Sequence, residues 1–342
     1  MTLSTVVQVP VEELAKHTRL ALNVLGYTPD ESAVLERVLL YAQLRGNTQG
    51  VVKLVTKNLD KAAEAYTKAI QVERDTPTTA SVNGCQHCGM LVVQRATDIA
   101  IAKAKAIGAS VVTCRNYSTS TGAIGYYAQE IARQGLIALV FSGSPELVAP
   151  HGGKTPLFGT NPIAIGFPRD DHETPLVMDL ATSAISYFAV ILAKIAKQSI
   201  PENVALDKDG RPTTDPNAMH SILPFGGHKG SALALAVELF SNALAGGAIH
   251  DKNQSNDWAS CVVAIDPARF HPSLAAFTAR VEQVLGRVKS SKTVSRTGTI
   301  WLPGERGNVI HHRHVTQGTI GIESGLWRQL QEFTAPAKTS RL

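Results

Sequence analysis

Four segments of the chain combine small residues with side chains able to hold or transform a ligand. The first is Pro150-His151-Gly152-Gly153, followed closely by Phe158-Gly159-Thr160-Asn161-Pro162. The second, Met178-Asp179-Leu180-Ala181-Thr182-Ser183, sits where a strand should give way to a helix. Thr182 or Ser183 can cap that helix, and its free N–H groups could hold a phosphate; simple capping accounts for the same residues. The third is Pro224-Phe225-Gly226-Gly227-His228-Lys229-Gly230. Its glycines let backbone approach a ligand, and Lys229 at a helix start can pair with phosphate. A glycine-rich turn bearing a surface lysine is the alternative. The fourth, Leu302-Pro303-Gly304-Glu305-Arg306, is a turn with a charged pair that reads alone as structural.

Other chemistries lack their residues. Cys85-Gln86-His87-Cys88 has metal-ligand spacing, but a structural zinc site wants a second ligand pair, and Cys114 and Cys261 stand alone. No metal is expected. The chain holds no Gly-x-Gly-x-x-Gly after a strand, no phosphate-loop signature, no His-Glu-x-x-His and no Gly-x-Ser-x-Gly. An ordinary Rossmann domain, an ATPase and a serine hydrolase therefore have no motif to stand on.

Composition narrows the classes further. The 342 residues are 44% hydrophobic and 18% charged, enough apolar matter for a large core and about two domains. The net charge of +5 is mild, aromatics are 6%, and no basic cluster is present, so a nucleic-acid footprint is absent. No apolar run reaches the roughly 20 residues of a membrane span, and the N-terminal residues do not form a secretory signal. Four cysteines in a chain of this size fit a reducing compartment. The final Ser340-Arg341-Leu342 resembles a peroxisomal address read by an import receptor; a eukaryotic source would make the protein peroxisomal, any other cytoplasmic.

The elements that must position these residues follow from hydrophobic period and punctuation. Helices are predicted over 11–26 and 30–45, the second started by Thr28-Pro29-Asp30-Glu31, with a third near 58–70. The polar turn Arg45-Gly46-Asn47-Thr48-Gln49-Gly50 lies between them. From about residue 73 the texture alternates: helix 90–107 stopped by Gly108, strand 109–114, helix 122–134 stopped by Gly135 and strand 136–142. A Gly/Pro-rich loop spans 143–162, and strands follow near 163–167 and 175–179, then a helix from about Ser183. Beyond the polar stretch 200–223 come helix 229–245, strand 260–265, helix 273–288 and a final helix 323–333. Such alternation argues a mixed α/β fold.

Taken together and in this order, the four segments resemble the type-2 malate/L-lactate dehydrogenase family, which includes sulfolactate and ureidoglycolate dehydrogenases and Δ1-piperideine-2-carboxylate reductases. The likeness extends to Asn83-Gly84, Gly122-Ala123-Ile124-Gly125-Tyr126-Tyr127 and Val148-Ala149-Pro150, and runs from about residue 10 to 333. It implies a non-Rossmann oxidoreductase using NAD or NADP on a small carboxylate substrate, usually as a homodimer. It also implies a central nicotinamide-binding sheet domain, placed at 73–219, and a largely helical domain built from both chain ends, 1–72 and 220–335, before a tail at 336–342. Carried over by position, the cofactor meets Ser120, Thr121, Gly122, Ser144, Asp179, Ala181, Thr182, Ser183, His228, Lys229, Pro303, Gly304, Glu305 and Arg306. The substrate meets Thr48, Lys53, Lys57 and Thr160.

The chemical centre departs from the family pattern. The family turn is Arg-Gly-x-x-Ser-His-Gly, whose His takes part in proton transfer; Gln49 stands in its place. Glutamine orients a carbonyl or imine by hydrogen bonds but has no usable pKa. Lys53 replaces an Arg that holds substrate, keeping charge without the bidentate fork. Ser120 stands for another family His, and Ala189 for an Asp found in the reductases. Gln49, Lys53 and Tyr187 are the candidate catalytic residues, with Lys57 and Lys229 as further candidate acids. Reducing a ketone needs a proton on oxygen, whereas an iminium already carries its charge. A site poor in acids therefore suits a protonated cyclic imine. The competing reading is an altered family member with a non-redox or binding role.

Overall fold

A computed structural model describes the chain except residues 1–5, 48, 57, 252–254, 256, 295–297 and 336–342, and the side chains of 195 and 196. Thr48, Lys57 and the Ser340-Arg341-Leu342 end thus lie outside the described residues.

The chain opens with strand β1 (Val6–Pro10), helix α1 (Val11–Val24) and helix α2 (Pro29–Leu44). Thr28 and Glu31 close a reciprocal capping box at the start of α2: the Thr28 Oγ1 accepts from the Glu31 N–H at 3.3 Å, and the Thr28 N–H donates to Glu31 Oε2 at 2.8 Å. After strands β2 (Gln71–Asp75) and β3 (Thr79–Asn83), helix α3 (Gly89–Ile107) crosses to β4 (Ala109–Tyr117). Gly108 ends α3 at φ 110°, a left-handed conformation that suits glycine. Helix α4 (Gly125–Arg133) leads to strands β5 (Ile137–Ser142), β6 (Ile163–Phe167) and β7 (Leu176–Leu180), then to helix α5 (Tyr187–Ala196). A short pair, β8 (Ala205–Leu206) and β9 (Ser221–Ile222), precedes helix α6 (His228–Glu238) and strand β10 (Trp258–Ile265). Helices α7 (Leu274–Lys289) and α8 (Glu305–Gln317), strand β11 (Thr319–Glu323) and helix α9 (Ser324–Phe333) complete the described chain.

Seven strands form one sheet in the order β2-β3-β4-β10-β5-β6-β7. Only β3 and β4 run parallel, because α3 carries the chain back over the sheet between them; the other neighbours are antiparallel. Both faces are buried with period two. Val262 and Ala264 of β10 join Val112, Cys114, Ala138 and Val140 in the core beneath α3 and α4, while Cys261 packs with Phe141, Ile163 and Val237 on the opposite face. The first described strand meets the last in a two-stranded ribbon, β1 with β11.

Three expectations need correction. Residues 58–70 do not form a helix but a loop with one tight turn, Ala63–Tyr66. Only Leu59 and Ala65 are buried there, too few apolar positions to hold an amphipathic helix on a core. The helix after β7 starts later than Ser183: Ser186 is its cap, accepting from the Ala189 N–H at 3.2 Å. Finally, the sheet is not confined to 73–219, since β10 enters its middle from the C-terminal part, between β4 and β5.

Candidate functional site

With this topology the C-terminal ends of β4, β5 and β7 and the N-terminal ends of β6 and β10 share one edge of the sheet. A cleft of about 1140 Å³ opens there, closed on its far side by the Val51–Leu54 turn, the start of α5 and the end of β11. Ligand pockets run to roughly 1,000 Å³, so this cleft is at the large end of that range.

One wall is polar. After β4 the loop brings Ser120, Thr121 and Gly122 to the cleft, and Ser144 and Thr160 face it from the ends of β5 and β6. Buried hydroxyls hold this wall from beneath. The Tyr117 hydroxyl lies 2.7 Å from Ser260 Oγ, which donates to Ser142 Oγ at 3.0 Å, and Ser142 reaches Thr121 Oγ1 at 3.5 Å. Tyr127 donates to the Thr121 carbonyl at 2.8 Å. Ser120 Oγ accepts from the Gly122 N–H at 3.0 Å, and the Ser144 and Thr160 hydroxyls are 3.3 Å apart.

Asp179, at the end of β7, also lines the cleft together with Ala181. Its Oδ2 accepts from the Gly125 N–H at 3.0 Å, and a side chain on Gly125 would place Cβ 2.8 Å from that oxygen. Water reaches the carboxyl from the cleft, but protein crowds its other sides, and this burial pushes its pKa up to about 6 despite the Gly125 hydrogen bond.

The lining also includes the three candidate catalytic residues, Gln49, Lys53 and Tyr187. Lys53 is 1% exposed, and its Nζ lies 4.2 Å from the centroid of the Phe188 ring. Among the described residues its amine makes no hydrogen bond or ion pair, while its backbone N–H donates to the Gly50 carbonyl at 3.3 Å. Burial drives its pKa down to about 7, opposed only by the Cys88 thiol. An amine balanced between its two protonation states near neutrality is chemically available as acid or base. Phe188, Ile191 and Leu192, all on α5, also line the cleft.

Other sequence-predicted positions are not brought to this cleft. Thr182 donates to the Thr160 and Asn161 carbonyls, both at 3.1 Å, and Ser183 donates to the Ile185 carbonyl at 2.8 Å. His228 and Lys229 begin α6 on an exposed surface, with the His228 ring 6.1 Å from that of His151. Pro303 to Arg306 form the entry to α8. Gly304 turns there at φ 77°, and Glu305 is engaged by Lys289. All four cysteines are free and buried, and no metal-ligating group of three or more side chains occurs among the described residues. Sequence reasoning missed the apolar part of the cleft, Phe188, Ile191, Leu192 and Leu326. Its signal was two adjacent bulky pairs, Tyr187-Phe188 and Ile191-Leu192, four residues apart at a helix start.

A family model described as malate/L-lactate dehydrogenase matches residues 9–331. The chain belongs to that family. It is 34% identical over 307 residues to L-sulfolactate dehydrogenase of Methanothermobacter thermautotrophicus, covering 86% of this chain and 87% of the relative. It is 32% identical over 322 residues to a Δ1-pyrroline-2-carboxylate/Δ1-piperideine-2-carboxylate reductase of Pseudomonas syringae pv. tomato, covering 90% and 91%. The crystal structure of a dehydrogenase from Sinorhizobium meliloti superimposes with a TM-score of 0.86 at 31% identity, covering 97% of this chain and 99% of that one. As a malate/L-lactate dehydrogenase family member the protein is an oxidoreductase, and the family's substrates are small carboxylates: hydroxy acids, oxo acids or cyclic imines. Among the described residues no helix is long and apolar enough to cross a membrane.

Proposed function

We propose that this family member interconverts a small 2-oxo or 2-imino carboxylate and its reduced form with NAD(H) or NADP(H), and that Lys53 takes over the proton chemistry of the missing histidine. The observation that carries this reading is the Lys53 amine, buried at the cleft with a pKa near 7.

The residues present fit a dinucleotide beside a substrate: the cleft is large, and Ser120, Thr121, Ser144 and Thr160 offer it a hydroxyl-rich wall. When bound, the reduced nicotinamide supplies a hydride. Lys53 binds the substrate carboxylate or gives its proton to the carbonyl oxygen. Gln49 orients the oxygen or nitrogen by hydrogen bonding. For a ketone the balance is R–CO–COO⁻ plus NAD(P)H plus H⁺ to R–CHOH–COO⁻ plus NAD(P)⁺. For a protonated imine the nitrogen brings that proton itself, so replacing the histidine penalises an imine less than a ketone.

The chain works as a homodimer in this reading. Leu235, Leu239, Phe240 and Leu244 lie exposed along α6 and the turn after it, an apolar strip that a second copy would cover.

The test is a titration of the purified protein with NADH and NADPH, followed by turnover of Δ1-piperideine-2-carboxylate and pyruvate. Binding of one nucleotide and faster use of the imine support the reading. Binding of neither nucleotide overturns it.

A further inference from the structure

We infer that the substrate of this cleft is a monocarboxylate whose remaining body is bulky and apolar, rather than one carrying a second anionic group. The inference rests on the oxidoreductase reading above and deepens it to a substrate class.

Its basis is the division of the cleft into unlike walls. The polar wall, from Ser120 across to Asp179, is built of loop backbone and hydroxyls. A second part of the lining is one side of α5. Phe188, Ile191 and Leu192 line the cleft, while Val190 and Ala193 on the other side of the same helix pack into a separate apolar cluster with Val148 and Ile222. That helix is therefore fixed by its back and presents its apolar front to the ligand. Leu192 remains 43% exposed, an apolar surface that a bound apolar group would cover.

Charge points the same way. Among the described lining residues the charged groups are Lys53, Asp60, Asp179 and Glu323. Lys53 can meet one carboxylate. Among the described lining residues a second anion finds no second cation, and the remaining charged groups are carboxylates, which disfavour it. An apolar group in the same place would instead leave water for Phe188, Ile191 and Leu192, with the Lys53 amine holding the carboxylate at the Phe188 end.

The experiment is a comparison of kcat/KM for 3-phenylpyruvate, 4-methyl-2-oxopentanoate, pyruvate and oxaloacetate with the nucleotide that binds. The apolar acids should exceed oxaloacetate by 10-fold or more, since each well-placed apolar group is worth roughly 10–200-fold in discrimination. Leu192→Ala should reduce the ratio of 3-phenylpyruvate to pyruvate about 10-fold, and Leu192→Arg should raise the ratio of oxaloacetate to 3-phenylpyruvate by a similar factor. Leu192 is partly exposed, so both variants should fold. Preference for oxaloacetate in the unaltered protein overturns the inference while leaving the redox reading intact. So does a change of oligomeric state in Leu192→Arg without change in either ratio. If no acid or imine is turned over, the redox reading falls. Binding then decides: calorimetric titration should show 3-phenylpropanoate at least 10-fold tighter than succinate, and the reverse order overturns the substrate class as well.

Discussion

The Nζ of Lys53 lies 4.2 Å from the centroid of the Phe188 ring, and the two side chains meet where a 3₁₀ turn and the first turn of α5 close the cleft. An ammonium over an aromatic face gains electrostatically, but here loss of water dominates and drives the pKa of Lys53 down to about 7. Phe188 thus covers the amine and contributes to the burial that lowers its pKa.

Activity should follow that titration. Lys53→Met should lower kcat by about 10²–10³, the usual loss when a positioned proton donor is removed. Phe188→Ala admits water to the amine; relief of desolvation outweighs the lost ring contact, so the limb of the kcat/KM profile near pH 7 should move upward. Steady-state rates between pH 5.5 and 9.5 for both variants check this. An unmoved limb in Phe188→Ala would separate it from Lys53.

The same amine makes stability depend on pH. The folded pKa, about 7, lies below the unfolded value of 10.5, so the unfolded chain holds the proton more tightly between them. The cost of burying Lys53 is fully present below about pH 7 and disappears as pH rises toward 10.5. Lys53→Met should therefore raise the melting temperature, most at pH 6–7 and progressively less toward pH 10. A gain of equal size at every pH would place the effect in packing alone.

Gln49 lines the cleft without a titratable group. Gln49→His should restore an acid and increase reduction of 2-oxo acids by at least about 10-fold while changing imine reduction much less. Parallel assays on pyruvate and Δ1-piperideine-2-carboxylate measure the difference; equal gains on both would show that proton supply does not limit the unaltered protein.

The exposed strip along α6 predicts a dimer. Phe240→Asp combined with Leu244→Asp should convert it to monomer, read by light scattering at micromolar protein. Phe240 stacks on Phe141 at 4.7 Å between centroids, so Leu239→Asp with Leu244→Asp serves as a second variant that spares this contact.

Thr28→Ala removes the hydroxyl half of the α2 capping box and should cost about 1 kcal/mol, measured by urea denaturation. Replacement by Ser should recover most of it.

Local signals were legible in the sequence because they act within a few residues. Thr28-Pro29-Asp30-Glu31 and Gly108 mark the ends of α2 and α3 through capping and left-handed backbone, and the observed boundaries lie within two residues of the expected ones. The cleft-lining residues Ser120, Thr121, Gly122, Ser144, Thr160, Asp179 and Ala181 and the family itself were likewise readable, since residue order along the chain carries them. Helix α8 was not: it buries no residue, so its sequence shows no apolar stripe. The ribbon of β1 with β11 joins residues more than 300 positions apart, and β10 inserts between β4 and β5. Such pairings depend on long-range closure, which no local window records. The chain by itself carried the expectation that Gln49 and Lys53 stand where the family has other groups. Only the tertiary structure decided that Lys53 is buried beside the Phe188 ring, where exclusion of water pushes its pKa down to about 7, because burial is a property of the folded chain.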